Sequence, residues 1–147
     1  MTNQTKIKLN AAGEQLPDDA TDHVIVHNVR LGLHETVRAP GFEKSMLHKD
    51  VGPAIQALND SNYLGHNNWR APQPWEELEK VKYVNEDVMA DLSLYPDMQS
   101  GYYWTNEPVP WSSDFVFCVY FCSGSVGLLL RNYKAFVRPV RSVLSSQ

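Results

Sequence analysis

The strongest constraint on the fold is a stretch near the C-terminus that is apolar on both alternating faces. Residues 114–122 alternate two apolar sets, Phe115, Phe117, Val119 and Phe121 on one side and Val116, Cys118, Tyr120 and Cys122 on the other. Successive side chains of a strand point to opposite faces of a sheet, so both faces of this strand need cover. The pattern predicts a central strand. Ser123-Gly124 before a second apolar run predicts that residues 114–131 form a hairpin.

Other strand patterns flank this hairpin. Residues 23–27 and 31–37 predict an early hairpin, and residues 101–105 predict a strand that precedes the central one. Residues 134–143 predict a last strand, in which Pro139 must lie at an edge or near the strand's end because it has no N–H to donate.

Helical signals occupy the middle of the chain. Apolar residues recur at helical spacing over residues 50–59, and Pro53 stands in the first turn, where its missing N–H is tolerated. A second helix is predicted from Pro74, and a third over residues 85–94. The sequence therefore predicts an α+β domain over residues 23–147, with two or three helices packed on a small, mostly antiparallel sheet. Residues 1–22 predict a polar arm or a first irregular strand.

Length and charge narrow the function classes. A chain of 147 residues suits one hydrophobic core. Its net charge of −4 offers no attraction to phosphate backbones, so we expect no nucleic-acid partner. The sequence shows neither a membrane-spanning run nor a secretory signal, which predicts a cytoplasmic protein as synthesised, unless it is incorporated in a phage particle. Cys118 and Cys122 would lie roughly 13 Å apart in an extended strand and cannot bridge each other.

Four short motifs occur in an informative order. They are Asn-Trp-Arg-Ala-Pro at 68–72, Trp-Glu-Glu-Leu at 75–78, Gly-Tyr-Tyr-Trp-Thr at 101–105 and Phe-Val-Arg-Pro-Val-Arg at 136–141. Together they resemble the C-terminal domain family of collagen-like bacterial adhesins, the Lcl C-terminal family, over roughly residues 23–143. The resemblance implies a C-type-lectin-like fold, related to that of the formylglycine-generating enzyme and used for binding glycans or proteins.

Catalytic and metal-binding patterns are weak. The best group for calcium is a set of loop oxygens, which an ordinary polar loop explains better: Asn106, Glu107, Ser112, Ser113 and Asp114. The histidines lack the spacing of a zinc site, and Ser123-Gly124-Ser125 lacks that of a hydrolase elbow. Both cysteines lie in an apolar strand, where a thiolate is unfavourable. We therefore expect no catalysis, no metal and no cofactor.

The aromatic and basic residues divide into scaffold and site. Trp69, Trp75 and Trp104 have apolar neighbours and are predicted to pack in the core. The arginines of the same motifs, Arg70, Arg138 and Arg141, are predicted to pair with buried carboxylates or carbonyls.

Trp111 differs, because Pro110 and Ser112 place it in a loop, where an aromatic side chain is a common recognition anchor. We predict that the 105–114 loop and the 131–134 turn form one binding face. Its residues are Glu107, Trp111, Ser112, Ser113, Asp114, Arg131, Asn132, Tyr133 and Lys134.

Two functions remain open at this point. One is an adhesin-like or receptor-binding module, of bacterial or phage origin, that engages a protein or a glycan. The alternative is a cytosolic accessory or inhibitor protein of a mobile element that blocks a host protein complex. The sequence determines neither the class of partner nor the oligomeric state.

Overall fold

The computed structural model describes residues 5–84 and 86–143. Within them lie two α-helices, a 3-10 turn at Tyr63–Gly65 and three antiparallel sheets. The helices are α1 His48–Asp60 and α2 Pro74–Leu78. The strands are β1 Lys6–Leu9, β2 Ile25–Asn28, β3 Leu33–Thr36, β4 Met46–Leu47, β5 Tyr102–Pro108, β6 Phe115–Tyr120, β7 Ser125–Leu130, β8 Lys134–Ala135 and β9 Val140–Ser142. The α+β class is confirmed, and the C-type-lectin-like fold stays a prediction.

The first sheet has the strand order β1-β2-β3-β9. Strands β2 and β3 form the expected early hairpin, with Ile25 opposite Thr36. Its turn contains Gly32 at φ 65°, a conformation that favours glycine, and Asn28 Oδ1 accepts a hydrogen bond from the Leu31 N–H. The N-terminal segment supplies β1, and β9 pairs with β3 on the opposite side. The first and last strands thus lie at opposite edges of one sheet.

The second sheet has the order β5-β6-β7, with the predicted central strand in the middle. The hairpin of β6 and β7 is confirmed, and Gly124 occupies the left-handed position of its turn at φ 75°. Strand β5 is longer than predicted. Residues 105–108, expected at the start of a loop, continue the strand through an irregularity that ends with Pro108 opposite Val116.

The predicted strand over residues 134–143 is divided in two. Its first part, β8, pairs with β4 in a third, two-stranded sheet, and its second part is β9. Between them, Phe136 exchanges backbone hydrogen bonds with β5, and buried Arg138 donates to the carbonyls of Phe42 and Asp97. These contacts and the missing N–H of Pro139 interrupt the strand; Pro139 directly precedes β9, near a strand end as predicted.

Helix α1 is confirmed, and α2 ends earlier than its apolar spacing suggested. The hydrogen bonds of the Glu76 carboxylate explain why α2 begins at Pro74. This carboxylate accepts two hydrogen bonds from Arg70, at 2.7 and 2.8 Å, and one from the backbone N–H of Gln73. The Arg70 side chain is therefore paired as predicted, and the same carboxylate satisfies a free amide at the helix N-terminus.

The prediction of a third helix over residues 85–94 is wrong. Residues 86–94 form bends and turns, and residue 85 lies outside the described ranges. The Met89 N–H donates to the Phe121 carbonyl, and Ala90 forms an isolated bridge with Val81. Asp91 accepts from the N–H and hydroxyl of Ser93, a local bond that competes with helix formation. Contacts with the second sheet thus replace the helix.

Two core clusters lie on opposite faces of the second sheet. The first contains Trp69 and residues of α1, β5, β6 and β7, among them Val51, Leu58, Trp104, Val116, Cys118 and Leu129. The second contains Val26, Val37, Ala90, Tyr95, Met98, Tyr103, Val119 and Phe121. Trp69 and Trp104 are buried as predicted. The prediction for Trp75 is wrong, because α2 turns Glu76 and Glu77 inward and leaves Trp75 54% exposed.

Candidate functional site

Trp111 stands at the tip of the turn between β5 and β6. Its side chain is 72% exposed, and its ring meets that of Phe117 edge-on at a centroid distance of 6.0 Å. The turn is closed by backbone hydrogen bonds, from Val109 N–H to the Phe115 carbonyl and from Ser112 N–H to the Val109 carbonyl. An exposed indole is therefore held by an ordered turn next to a sheet.

The two predicted segments meet at Arg131. Its backbone N–H donates to the Asp114 carbonyl at 2.9 Å, and its Nε donates to the Ser113 carbonyl at 2.7 Å. Its Nη1 lies 2.8 Å from Nδ1 of His48, at the start of α1. Because a guanidinium only donates, Nδ1 accepts and the His48 ring is neutral. Burial and the charge of Arg131 both lower the pKa of His48.

The other predicted residues lie around this junction in different places. Asn132 and Tyr133 are exposed in the turn that follows β7, and Ser112 is half-buried in the Trp111 turn. Glu107 is exposed on β5, where its N–H donates to the Thr105 hydroxyl. Lys134 belongs to β8 and lines a separate cleft. The structure thus joins Ser113 and Asp114 to Arg131, whereas Lys134 faces a different part of the surface.

That cleft has a volume of about 600 Å³. Residues 37–45, 97–99 and 134–138 line it, including an ion pair in which Arg38 Nε lies 2.5 Å from Asp97 Oδ2. Buried Arg138 contributes to the wall and donates to backbone carbonyls, as predicted for this arginine. No sequence pattern predicts the cleft, because three segments far apart in the chain form it.

A continuous apolar surface extends from Trp111 across the second sheet. Phe117 lies opposite Leu128 in the β6–β7 ladder, and Val126 shares the face of Leu128. Leu128 is 45% exposed and Val126 is 41% exposed. We call these four side chains, Trp111, Phe117, Val126 and Leu128, the Trp111 surface. The pattern of residues 125–130 does not predict this exposure, because it suits a strand covered on one face as well as one covered on both.

Ionisable groups are also buried in the core. The Tyr95 hydroxyl donates to Glu35 Oε1 at 2.5 Å, and Lys80 Nζ lies 3.0 Å from Glu77 Oε1. Burial raises the pKa of Glu35, and burial together with the neighbouring Glu35 raises that of Tyr95. All four side chains are enclosed, so this cluster is part of the scaffold.

Three histidines group beside β9. The rings of His27 and His34 lie 4.9 Å apart, and those of His34 and His66 lie 6.3 Å apart. Arg141, predicted to pair with a carboxylate or carbonyl, instead lies over the Trp69 ring at 6.0 Å. Burial, then the charge of Arg141, lowers the pKa of each histidine, to about 4 for His34. In the described part of the chain, no three histidine, cysteine or acidic side chains converge to hold a metal ion.

The free thiols differ in environment. Cys118 is buried in the core, where burial raises its pKa to about 11. Cys122 is exposed in the turn after β6. The prediction that both lie inside the apolar strand is therefore wrong for Cys122, because β6 ends at Tyr120.

Among residues 5–84 and 86–143, no helix has the length and apolar character needed to cross a membrane.

Sequence comparison identifies the family. A search of curated proteins finds no matching sequence. The sequence profile of the Lcl C-terminal domain matches residues 25–141, which is most of the chain and includes all four motifs. This chain therefore belongs to the Lcl C-terminal domain family.

Proposed function

We propose that this chain is a non-catalytic binding module that recognises a protein through the Trp111 surface. Family membership supports an adhesin-like binding role. The observation that carries the proposal is the 72% exposure of Trp111 on a hydrogen-bonded turn. A rigid exposed indole beside aliphatic side chains is the composition of an interface anchor.

The polar groups beside Trp111 favour a protein over a glycan. Sugar recognition requires uncommitted donors and acceptors that converge on one point, but Arg131 is engaged by Ser113 and His48. The apolar side chains suit a hydrophobic pocket on the partner. Glu107 and Asp114 are exposed near this surface, and the chain carries a net charge of −4. The matching partner therefore has an apolar pocket with a basic rim.

The proposed absence of catalysis has support from the buried groups. Glu35 and Tyr95, whose pKa values are both raised by burial, are enclosed in the core and engage each other. The Cys118 thiol is likewise buried, and its pKa of about 11 keeps it protonated near neutral pH. Neither environment is that of a reactive group facing a substrate cleft.

The test compares two exposed tryptophans. Purified wild type, Trp111→Ala and Trp75→Ala are used as baits in lysate of the cells that express the chain, and in parallel on a glycan array. Trp75, 54% exposed on α2, is the matched control. We expect wild type and Trp75→Ala to retain one protein in stoichiometric amount, and Trp111→Ala to bind it at least about 30-fold more weakly, as for a hot-spot residue.

Two results would overturn the proposal. One is equal retention of the partner by Trp111→Ala, which would place the interface elsewhere. The other is selective glycan binding that Trp111→Ala loses, which would replace the protein partner by a sugar.

A further inference from the structure

Strand β7 is an edge of the second sheet. The order β5-β6-β7 leaves the outer side of β7 without a neighbouring strand among the described residues. The opposite edge of this sheet, on β5, is covered by Phe136. The Phe136 carbonyl accepts from the Trp104 N–H at 2.8 Å, and the Phe136 N–H donates to the Tyr102 carbonyl at 2.9 Å. The free edge of this sheet is therefore on β7.

The ladder shows which backbone groups of β7 point outward. The Arg131 N–H donates to Asp114, its direct partner beyond the paired residues Phe115 and Leu130. In an antiparallel ladder, hydrogen-bonded and non-hydrogen-bonded pairs alternate. The odd-numbered residues 125, 127 and 129 therefore form the backbone hydrogen bonds to β6. The N–H and C=O groups of Val126 and Leu128 and the N–H of Leu130 face away from the sheet, whereas the Leu130 carbonyl accepts from the Tyr133 N–H at 3.0 Å.

The β7 edge lacks the usual protection against strand addition. Proteins blunt edges with charged side chains, prolines, bulges or covering segments. The edge strand β1 has such protection, because it carries Lys6 and Lys8 and the Leu16 N–H donates to the Lys8 carbonyl. Strand β7 reads Ser-Val-Gly-Leu-Leu-Leu, with no charge and no proline, and its six residues pair with β6 without a bulge.

We propose that β7 pairs with β7 of a second copy of this chain, in antiparallel orientation about a two-fold axis at Leu128. This register aligns the outward amides, because Leu128 meets its own equivalent and Val126 meets Leu130 of the second copy. It makes one six-stranded sheet and covers the exposed flanks of the aliphatic side chains of β7.

The charges next to β7 are compatible with this register. Arg131, the residue that follows the strand, comes opposite Ser125 of the second copy, so no like charges meet. A different uncharged strand would also fit the backbone groups. The self-complementary register, with an aliphatic residue opposite each outward-facing aliphatic residue, favours a second copy over a heterologous strand. The dimer shares Val126 and Leu128 with the Trp111 surface but uses the backbone of β7, and Trp111 itself lies outside the strand, so the two proposals can fail separately.

The first experiment measures the dissociation constant by sedimentation equilibrium for wild type, Leu128→Pro and Leu128→Thr. Proline at position 128 removes an outward N–H and leaves the bonds to β6 in place, whereas threonine keeps the amide and suits a strand. We expect a wild-type dimer, weaker association by at least about 100-fold in Leu128→Pro, and less than about 10-fold in Leu128→Thr. Trp111→Ala should associate like wild type.

A second measurement needs no variant. Amide hydrogen exchange of wild type is followed at low and high protein concentration. Protection of Val126, Leu128 and Leu130 should rise with concentration, while Ser125, Gly127 and Leu129 stay protected throughout. A monomer at all concentrations, or a dimer that protects other amides, would overturn the proposal. Protection that arises only when another protein is added would also overturn it and assign the edge to a heterologous strand.

Discussion

The two larger sheets differ in where they place charged and apolar side chains. The first sheet, β1-β2-β3-β9, places Glu35 in the core against Tyr95 and carries lysines on its edge strand β1. The second sheet, β5-β6-β7, has an apolar central strand, and its edge strand β7 is uncharged. Buried ion pairs and hydrogen bonds tolerate only one arrangement of their partners. The first sheet therefore defines the fold, and the second leaves apolar surface free for binding.

The largest loss of stability is expected from Lys80→Met, which removes one partner of the buried Lys80–Glu77 ion pair. Glu77 is fully buried, and loss of its cation leaves an uncompensated charge. The free energy of unfolding should fall by about 3–5 kcal/mol, measured by urea denaturation. The matched variant Glu77→Leu/Lys80→Met removes both charges and should regain most of this loss. A double variant less stable than Lys80→Met would show that Lys80 acts through another group.

The turn of the second sheet is tested by Gly124→Ala. Gly124 has φ 75°, and a Cβ there would lie 2.8 Å from Tyr83 Cε1 and Val81 Cγ1. We expect a loss of about 2–3 kcal/mol, of which roughly 1 kcal/mol is left-handed strain and the rest is the clash. Gly13→Ala is the control, because Gly13 has φ 82° with no atom within 4 Å of a Cβ. Equal losses in both variants would mean that the 81–83 segment does not pack tightly on the hairpin.

Acid should weaken the first sheet through its histidines. The pKa of His34 is about 4 in the folded chain, below its ordinary value, because burial and Arg141 disfavour the charged ring. The unfolded chain therefore binds more protons between pH 6.5 and 4, and stability falls as the pH drops through this window. After allowance for solvent exposure, the loss from pH 7 to 5 should be about 1–2 kcal/mol.

The control for acid sensitivity is His34→Gln, which should flatten the change in stability between pH 7 and 5. His27 and His66 titrate in the same direction and would leave a smaller slope. The measurement stays above pH 5, because the lowered pKa values of Glu76, Glu79 and Asp91 add their own loss at more acidic pH. A slope unchanged in His34→Gln would assign the effect to another group.

Local patterns predicted the elements whose neighbours are near in sequence. The β6–β7 hairpin needed only an apolar alternation and Ser123-Gly124, and α1 needed only helical spacing after Asp50. The third helix failed because Met89 is bonded to Phe121, a contact between distant segments that spacing cannot show. Trp75 was misplaced for a related reason, since the charged neighbours of α2 are the residues that turn inward.

The candidate site was predictable in part. Trp111 was recognised because Pro110 and Ser112 mark a loop, and the structure exposes it. The role of Arg131 in joining the two segments depends on the register of β6 and β7, which fixes Asp114 beside it. The exposure of Val126 and Leu128 was missed, because the same alternation describes a strand covered on one face or on both.

The smallest effect on stability is expected from a substitution of Cys122. The two cysteines should differ instead in thiol reactivity. Cys122 is exposed, whereas Cys118 is buried with a pKa of about 11. Since the thiolate is the reactive form, a thiol reagent at pH 8 should modify Cys122 at once and Cys118 only as fast as the chain unfolds. Cys122→Ser should abolish the fast reaction and change the free energy of unfolding by less than about 0.5 kcal/mol. Fast modification of Cys118 in that variant would mean that β6 separates from its neighbours without global unfolding, and a sheet that opens in this way could not present Trp111 on a rigid turn.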